Sequence, residues 1–264
     1  MAFARVNGVV LHHEVRGPEG AAAIVFSNSL GTDFRIWNEV ADALSGDHRI
    51  LLYDKRGHGL SDATPAPYTM ADHVADLSAL MEHVGIDRAV IVGLSVGGLI
   101  AQGMAATHPA KVRALVLSNT AHKIGDAQLW NARIDMVTEK GIGAMADGIM
   151  ERWFTPAYRK PENADFAGYT NMLVRTTVDG YAGTCAAIRD TDMTESTRAL
   201  KLPVMCIVGD QDGATPPDLV RSTAELVDGA RFEIVEGAGH IPCVEKPGET
   251  IRLLRDFLAG LPDA

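Results

Sequence analysis

Ala89-Val90-Ile91-Val92-Gly93-Leu94-Ser95-Val96-Gly97 begins with four apolar residues, three of them β-branched, and ends in a serine with a glycine two positions away on each side. The apolar run predicts a strand buried on both faces. The G-x-S-x-G pattern, followed at once by a helical run, is a strand, a sharp turn and a helix. The glycines give the turn room to be tight, and Ser95 is thrust out at the carboxyl end of the strand with strained backbone angles. The N–H groups that open the following helix aim at the same spot and favour negative charge there. A Gly-rich turn carrying an incidental serine is the structural alternative. The strand before it and the helix after it favour a nucleophile.

Working outward, residues 22–28, 49–54, 88–94 and 112–118 are similar short apolar runs, separated by stretches of helical spacing such as Ile36-Val40-Leu44 and Met70-Val74-Leu77-Leu80-Met81-Val84. Strands alternating with helices predict a mostly parallel sheet covered on both faces. Asn7-Gly8, between two short β-like runs, predicts a hairpin turn. After Asn119 the rhythm stops, and residues 121–199 show only helical patterns, including Trp130-Ile134-Val137. Strand signals resume at 203–209 and 231–236, before a final helix through Ile251, Leu254, Phe257 and Leu258. The expected organisation is an α/β core over 1–120 and 200–264, interrupted before its last strands by a helical lid over 121–199.

A serine hydroxyl needs a base to remove its proton. Folds built around this elbow place an acid and then a histidine later in the chain. The strand at 203–209 runs into Gly209-Asp210-Gln211-Asp212, and the strand at 231–236 into Gly237-Ala238-Gly239-His240-Ile241-Pro242. Both groups leave the sheet at the same end as Ser95. Among the other histidines, His12 and His13 are neighbours on a strand, His58 sits in a glycine-flanked turn, and His48, His73, His83 and His108 are expected to be solvated. His240 is therefore the candidate base. Asp212 is preferred to Asp210 because it lies farther past the strand end, where it can reach the imidazole, while Asp210 is expected to satisfy the turn.

The tetrahedral intermediate needs two donors. One is expected to be the N–H of Val96, just after the nucleophile. The other is expected from Ser29-Leu30-Gly31, in the loop after the strand at 22–28, with Leu30 the choice because its N–H would sit at the base of that loop, its side chain then being free to wall the pocket. An ordinary polar loop is the plainer reading of that segment. No cluster of His, Cys or Asp has metal-ligand spacing and no nucleotide-cradling motif occurs, so neither metal nor cofactor is expected. Cys243 lies near His240, but with Ser95 on the elbow a packed cysteine is the better reading.

Composition narrows the partners. The 264 residues carry 24 Lys and Arg against 34 Asp and Glu, a formal net charge of -10. That balance argues against nucleic acid or an anionic membrane. The longest apolar stretch, 89–105, is broken by four glycines and is no membrane span. Three cysteines without CxxC spacing, and no visible signal peptide, lead to the expectation of a cytoplasmic protein. The oligomeric state is not readable.

Taken with Asp54-Lys55-Arg56-Gly57-His58-Gly59-Leu60-Ser61, the elbow, Gly209-Asp210-Gln211-Asp212 and Gly239-His240, the chain resembles the α/β-hydrolase superfamily from end to end. Within it, Ser27-Asn28-Ser29-Leu30-Gly31-Thr32-Asp33 with Trp37 resembles the 3-oxoadipate enol-lactonases of aromatic catabolism, the β-ketoadipate pathway, although many relatives carry His-Gly where Asn28-Ser29 stands. Val244-Glu245-Lys246-Pro247 fits that family but is shared more widely. The resemblance implies attack by Ser95 on a lactone carbonyl, with His240 as base, Asp212 orienting it, and 3-oxoadipate as product. Such a substrate is a small anion, yet acidic residues outnumber basic ones over 121–199, so one particular cation must bind it. Arg133 is the candidate, because Trp130, Arg133 and Ile134 share a helical face and a guanidinium beside an aromatic wall suits a planar charged ring. A solvated helix face is the alternative. Lys123 and Arg175 come next. Other carboxylesterases, C–C bond hydrolases and perhydrolases share the triad, and a non-catalytic ligand receptor is the rival of a different class. Haloalkane dehalogenase and epoxide hydrolase are disfavoured, since both need a carboxylate where Ser95 stands.

Overall fold

The computed structural model describes residues 1–262. Its eight strands form one sheet in the order β1-β2-β4-β3-β5-β6-β7-β8, where β1 is Ala2–Val6, β2 Val9–Arg16, β3 Ala23–Ser27, β4 Arg49–Tyr53, β5 Ala89–Leu94, β6 Val112–Ser118, β7 Val204–Gly209 and β8 Arg231–Val235. Strand β2 runs antiparallel to β1 and β4, and every other pair is parallel. The hairpin expected at Asn7-Gly8 joins β1 to β2, with both residues at positive φ as a tight two-residue turn requires.

The central strands are apolar throughout because both faces are covered. All six residues of β5 and of β7 are buried. Helices lie on both faces of the sheet. Met70–His83 packs beside Val96–Thr107, and Asn38–Leu44 beside Pro247–Ala259. Met70–His83 starts with a capping box in which Thr69 and Asp72 exchange side-chain and backbone hydrogen bonds. Trp37 belongs to this core rather than to a pocket: it is fully buried, with its ring centroid 4.9 Å from that of Phe26.

Between β6 and β7 the chain is helical, with helices Ala127–Lys140, Ala146–Trp153, Ala164–Val174, Val178–Arg189 and Thr194–Arg198. Among the described residues no helix is long and apolar enough to cross a membrane. One expectation is corrected here. His73 is buried, its ring 5.8 Å edge-on from that of Tyr68 and its Nε2 3.5 Å from the Thr184 hydroxyl. It lies on the inward face of its helix, and burial, with Lys55 and Arg56 nearby, pushes its pKa down to about 3.

Candidate active site

Ser95 sits between β5 and the helix Val96–Thr107 at φ 58°, ψ -119°, in a region L-residues rarely adopt. The flanking glycines make that turn possible. A Cβ at Gly93 would strike the Gly97 carbonyl, and one at Gly97 would strike the Ser27 carbonyl on the neighbouring strand. The pattern is thus a requirement for close backbone approach, and its result is a hydroxyl held at the carboxyl edge of the sheet.

His240 and Asp212 arrive from β8 and β7. His240 Nδ1 lies 2.9 Å and 3.0 Å from the two Asp212 carboxylate oxygens. Asp210 instead accepts from the Ala238 N–H at 3.1 Å and braces the turn. Asp212 is buried and richly solvated by protein: Asn119 Nδ2 donates at 2.9 Å, the Thr215 hydroxyl at 2.7 Å, and the N–H groups of Ala214 and Thr215 at 2.7 Å and 3.0 Å. Burial alone would raise its pKa. The imidazole of His240 and these donors outweigh burial and hold the carboxyl below its ordinary value.

Ser95, His240, Ser29 and Leu30 open onto one cavity of about 330 Å³, a size suited to a small substrate. Ser95 Oγ and His240 are not hydrogen-bonded to each other, as is common before a substrate tightens the contact. The helical segment roofs the cavity with Trp130, Arg133, Arg152, Trp153 and Tyr181. Its anchor to the histidine loop is extensive. The His240 N–H donates to the Trp153 carbonyl at 2.8 Å, and the Glu245 carboxylate accepts from Gly239 N–H at 2.6 Å and from the Thr155 N–H and hydroxyl at 3.0 Å and 2.8 Å.

The loop after β3 is locked from below. His58 Nε2 accepts the Gly31 N–H at 2.9 Å, and the buried Lys55 ammonium donates to the Ser29 carbonyl. Asn28 turns its side-chain amide onto the Thr32 carbonyl. The N–H groups of Leu30 and Val96 have no protein acceptor among the loop and cap hydrogen bonds of the described residues; Leu30 lines the cavity with Ser95, and Val96 follows Ser95 directly in the chain.

Trp130 is buried, its indole N–H bound to the Ile124 carbonyl at 2.6 Å, and the Arg133 guanidinium lies over its ring at 5.1 Å. Of the helical face expected from the sequence, Trp130 and Arg133 line the cavity, while Ile134 packs against the core instead. Sequence reasoning missed Arg152, a second guanidinium lining it, as well as Asn119, Thr215, Lys55 and Glu245. Burial and the neighbouring Arg133 lower the pKa of Arg152. Neither arginine forms an ion pair among the described residues, and adjacent Glu151 pairs with Arg159. Lys123 instead pairs with Asp192, and Arg175 lines a different cavity. Cys243 is buried, and burial pushes its thiol well above the usual range. Among the described residues no three His, Cys, Asp or Glu side chains are grouped to hold a metal ion.

A model of the α/β hydrolase fold matches residues 22–138. The chain is 33% identical to 3-oxoadipate enol-lactonase 2 of Acinetobacter baylyi over 239 residues, which cover 90% of this chain and 89% of that protein. The chain belongs to the α/β-hydrolase family. A second relative, 3-oxoadipate enol-lactonase 1 of the same bacterium, is 31% identical to this hydrolase, with 97% and 95% of the two chains covered. The crystal structure of the enol-lactonase from Burkholderia xenovorans LB400 superposes with a TM-score of 0.95 at 37% identity, covering 98% of the hydrolase and 100% of that chain.

Proposed function

We propose that this hydrolase opens 3-oxoadipate enol-lactone to 3-oxoadipate in the cytoplasmic breakdown of aromatic compounds. The observation that carries the reading is a serine on a strained elbow, sharing one small cavity with a histidine backed by buried Asp212 and with two guanidinium groups that form no ion pair among the described residues. An acidic protein that keeps unpaired cations in its cavity is suited to an anionic substrate. Relatives named as enol-lactonases, at 31–33% identity over nearly the whole chain, support the same choice.

In this mechanism Ser95 Oγ attacks the lactone carbonyl while His240 Nε2 takes its proton. Asp212 fixes the tautomer at Nδ1 and stabilises the imidazolium. The N–H groups of Leu30 and Val96 receive the oxyanion. Collapse breaks the ring C–O bond and leaves the acyl group on Ser95, still joined to the enol. An enolate leaves more readily than an alkoxide. It takes up the proton that His240 received from Ser95, which returns the imidazole to its neutral form, and the enol so formed tautomerises to a ketone. Water activated by His240 then frees the acid. Arg133, with Trp130 beneath it, and Arg152 hold the carboxylate that the lactone already carries, and the segment 121–199 serves as the lid over them.

The deciding experiment mixes the protein with enol-lactone generated from muconolactone and follows the loss of its ultraviolet absorbance. Rapid loss with saturable kinetics is the expected result. Hydrolysis of simple esters with no action on the lactone would overturn the substrate assignment and leave a general esterase.

A further inference from the structure

Lys55 is the buried charge that the mechanism above leaves unused. It is 1% exposed, forms no ion pair among the described residues, and donates from Nζ to the Ser29 carbonyl at 2.5 Å. That carbonyl does not need it. The Thr32 hydroxyl and N–H already donate to the same oxygen at 3.0 Å and 3.3 Å. An apolar side chain would fill the space without the large desolvation penalty of an ammonium. A charge kept where it is expensive, on an acceptor already satisfied, calls for a reason.

The reason lies on the other side of one peptide bond. The Ser29 carbonyl and the Leu30 N–H belong to the same planar unit, so a group that grips the oxygen fixes the direction of the N–H. A cation on the oxygen also draws electron density through the amide, which leaves the nitrogen more positive and its hydrogen a stronger donor. We propose that Lys55 is a positioning residue of the oxyanion hole, orienting and polarising the Ser29–Leu30 peptide so that the Leu30 N–H binds developing negative charge more strongly. The inference rests on the serine-hydrolase reading and adds to it a residue that never touches substrate.

The surroundings suit the role. Asp54 and Asp33 face Lys55 and favour its charged form, yet Asp54 is engaged with His12 Nδ1 and the Phe34 and Leu60 N–H groups, and Asp33 with Arg35. His58 and His73 also face it, and burial together with the Lys55 charge holds both well below their ordinary values, so they stay neutral. Burial brings Lys55 itself down to about 7. In its protonated form Lys55 therefore acts on the peptide with little competition from a directly paired counter-ion.

The test replaces Lys55 by Met, which fits without charge, and by Gln, which keeps a neutral N–H donor. Wild-type protein is first assayed with p-nitrophenyl acetate and a serine-directed phosphonate. Absence of both turnover and labelling would overturn the hydrolase reading and this inference with it. Given an active wild type, both variants should lose about ten- to a hundredfold in kcat, less than the roughly 10²–10³ expected for deleting an oxyanion donor outright. KM should stay within about twofold, and affinity for a boronic acid, whose tetrahedral adduct carries the oxyanion, should fall with kcat. Wild-type kcat in both variants, or a loss confined to KM, would refute the role of Lys55 while leaving the hydrolase intact. A measurement on wild type alone guards against variants that fail to fold. In heteronuclear spectra the Leu30 amide should shift in step with deprotonation of Lys55 Nζ, and a Leu30 resonance that stays fixed while Nζ titrates would equally refute it.

Discussion

At the scale of single residues, the site depends on groups held in states they would not choose alone. Ser95 is strained, Asp212 is held in its ionised form although buried, and the Lys55 amine is enclosed where burial lowers its pKa to about 7. Ser95→Ala should abolish labelling by a serine-directed phosphonate and lower turnover roughly 10³-fold or more, and labelling that survives would remove Ser95 from the mechanism. Asp212, held below the ordinary carboxylate value, stays ionised through the weakly acidic range, so it keeps orienting the imidazole there. Asp212→Asn should change the shape of the pH–rate profile as well as its height, because the amide can no longer select the tautomer. A profile of unchanged shape would count against the pairing. Lys55 gives a prediction about stability with a definite sign. Its pKa is about 7 in the fold and 10.5 ordinarily, so between these values the unfolded chain binds more protons. The Lys55 contribution to stability should therefore rise with pH across that window, with the penalty fully present below it. Urea titrations at about pH 6, 8 and 10 should show wild type gaining stability relative to Lys55→Met, a difference that cancels the opposing titration of the buried cysteines and tyrosines common to both.

At the scale of elements, what could be read from the sequence was what is encoded locally. The elbow is legible because its strand, turn and helix are contiguous, and its glycines answer to contacts the pattern itself implies. Asp212 and His240 could be placed because each follows directly on a strand. That Arg133 shares a face with Trp130 is legible in the helical spacing, and both line the cavity. Arg152 escaped because its link to the cavity depends on how Ala146–Trp153 packs over loops some sixty to ninety residues later in the chain, those holding Gly213 and His240. Lys55, Asn119 and Glu245 are further cases of this kind, polar side chains whose partners come from other elements. His73 was misjudged because a polar residue on an amphipathic helix gives no local sign that it faces inward. The loop 54–61 shows what such non-local contacts supply. Arg56 grips the buried Asp76 of helix Met70–His83 with two hydrogen bonds of 2.6 Å and 2.7 Å, which ties the loop carrying Lys55 and His58 to that helix. Asp76→Ala leaves the guanidinium in a poorly hydrated place with only Asp72, 3.7 Å away, as a counter-ion, and should cost about 3 kcal/mol in urea unfolding. A loss below about 1 kcal/mol would mean that the loop is held by its other contacts.

At the scale of the whole molecule, a body with a net charge of -10 keeps two guanidinium groups, without ion pairs among the described residues, at the roof of a cavity of about 330 Å³. The overall field repels an anion on approach, and the local cations must reverse that repulsion at short range. If Arg133 and Arg152 hold the substrate carboxylate, replacing either by Ala should raise KM for the enol-lactone, or lower kcat where the contact positions the carbonyl. Losing one charged, hydrogen-bonded partner costs on the order of 2–4 kcal/mol in a sheltered site, so selectivity against a neutral ester such as p-nitrophenyl acetate should change by at least about tenfold. The double variant separates the near field from the far one. With both arginines gone, only the repulsion of the acidic surface remains, and salt screens that repulsion over about 10 Å at 0.1 M. Its kcat/KM for the enol-lactone should then rise with salt, while its activity on the neutral ester stays level. Equal losses on charged and neutral substrates in both single variants, with no salt response in the double variant, would reduce the two arginines to supports for the roof and leave the carboxylate without an identified partner.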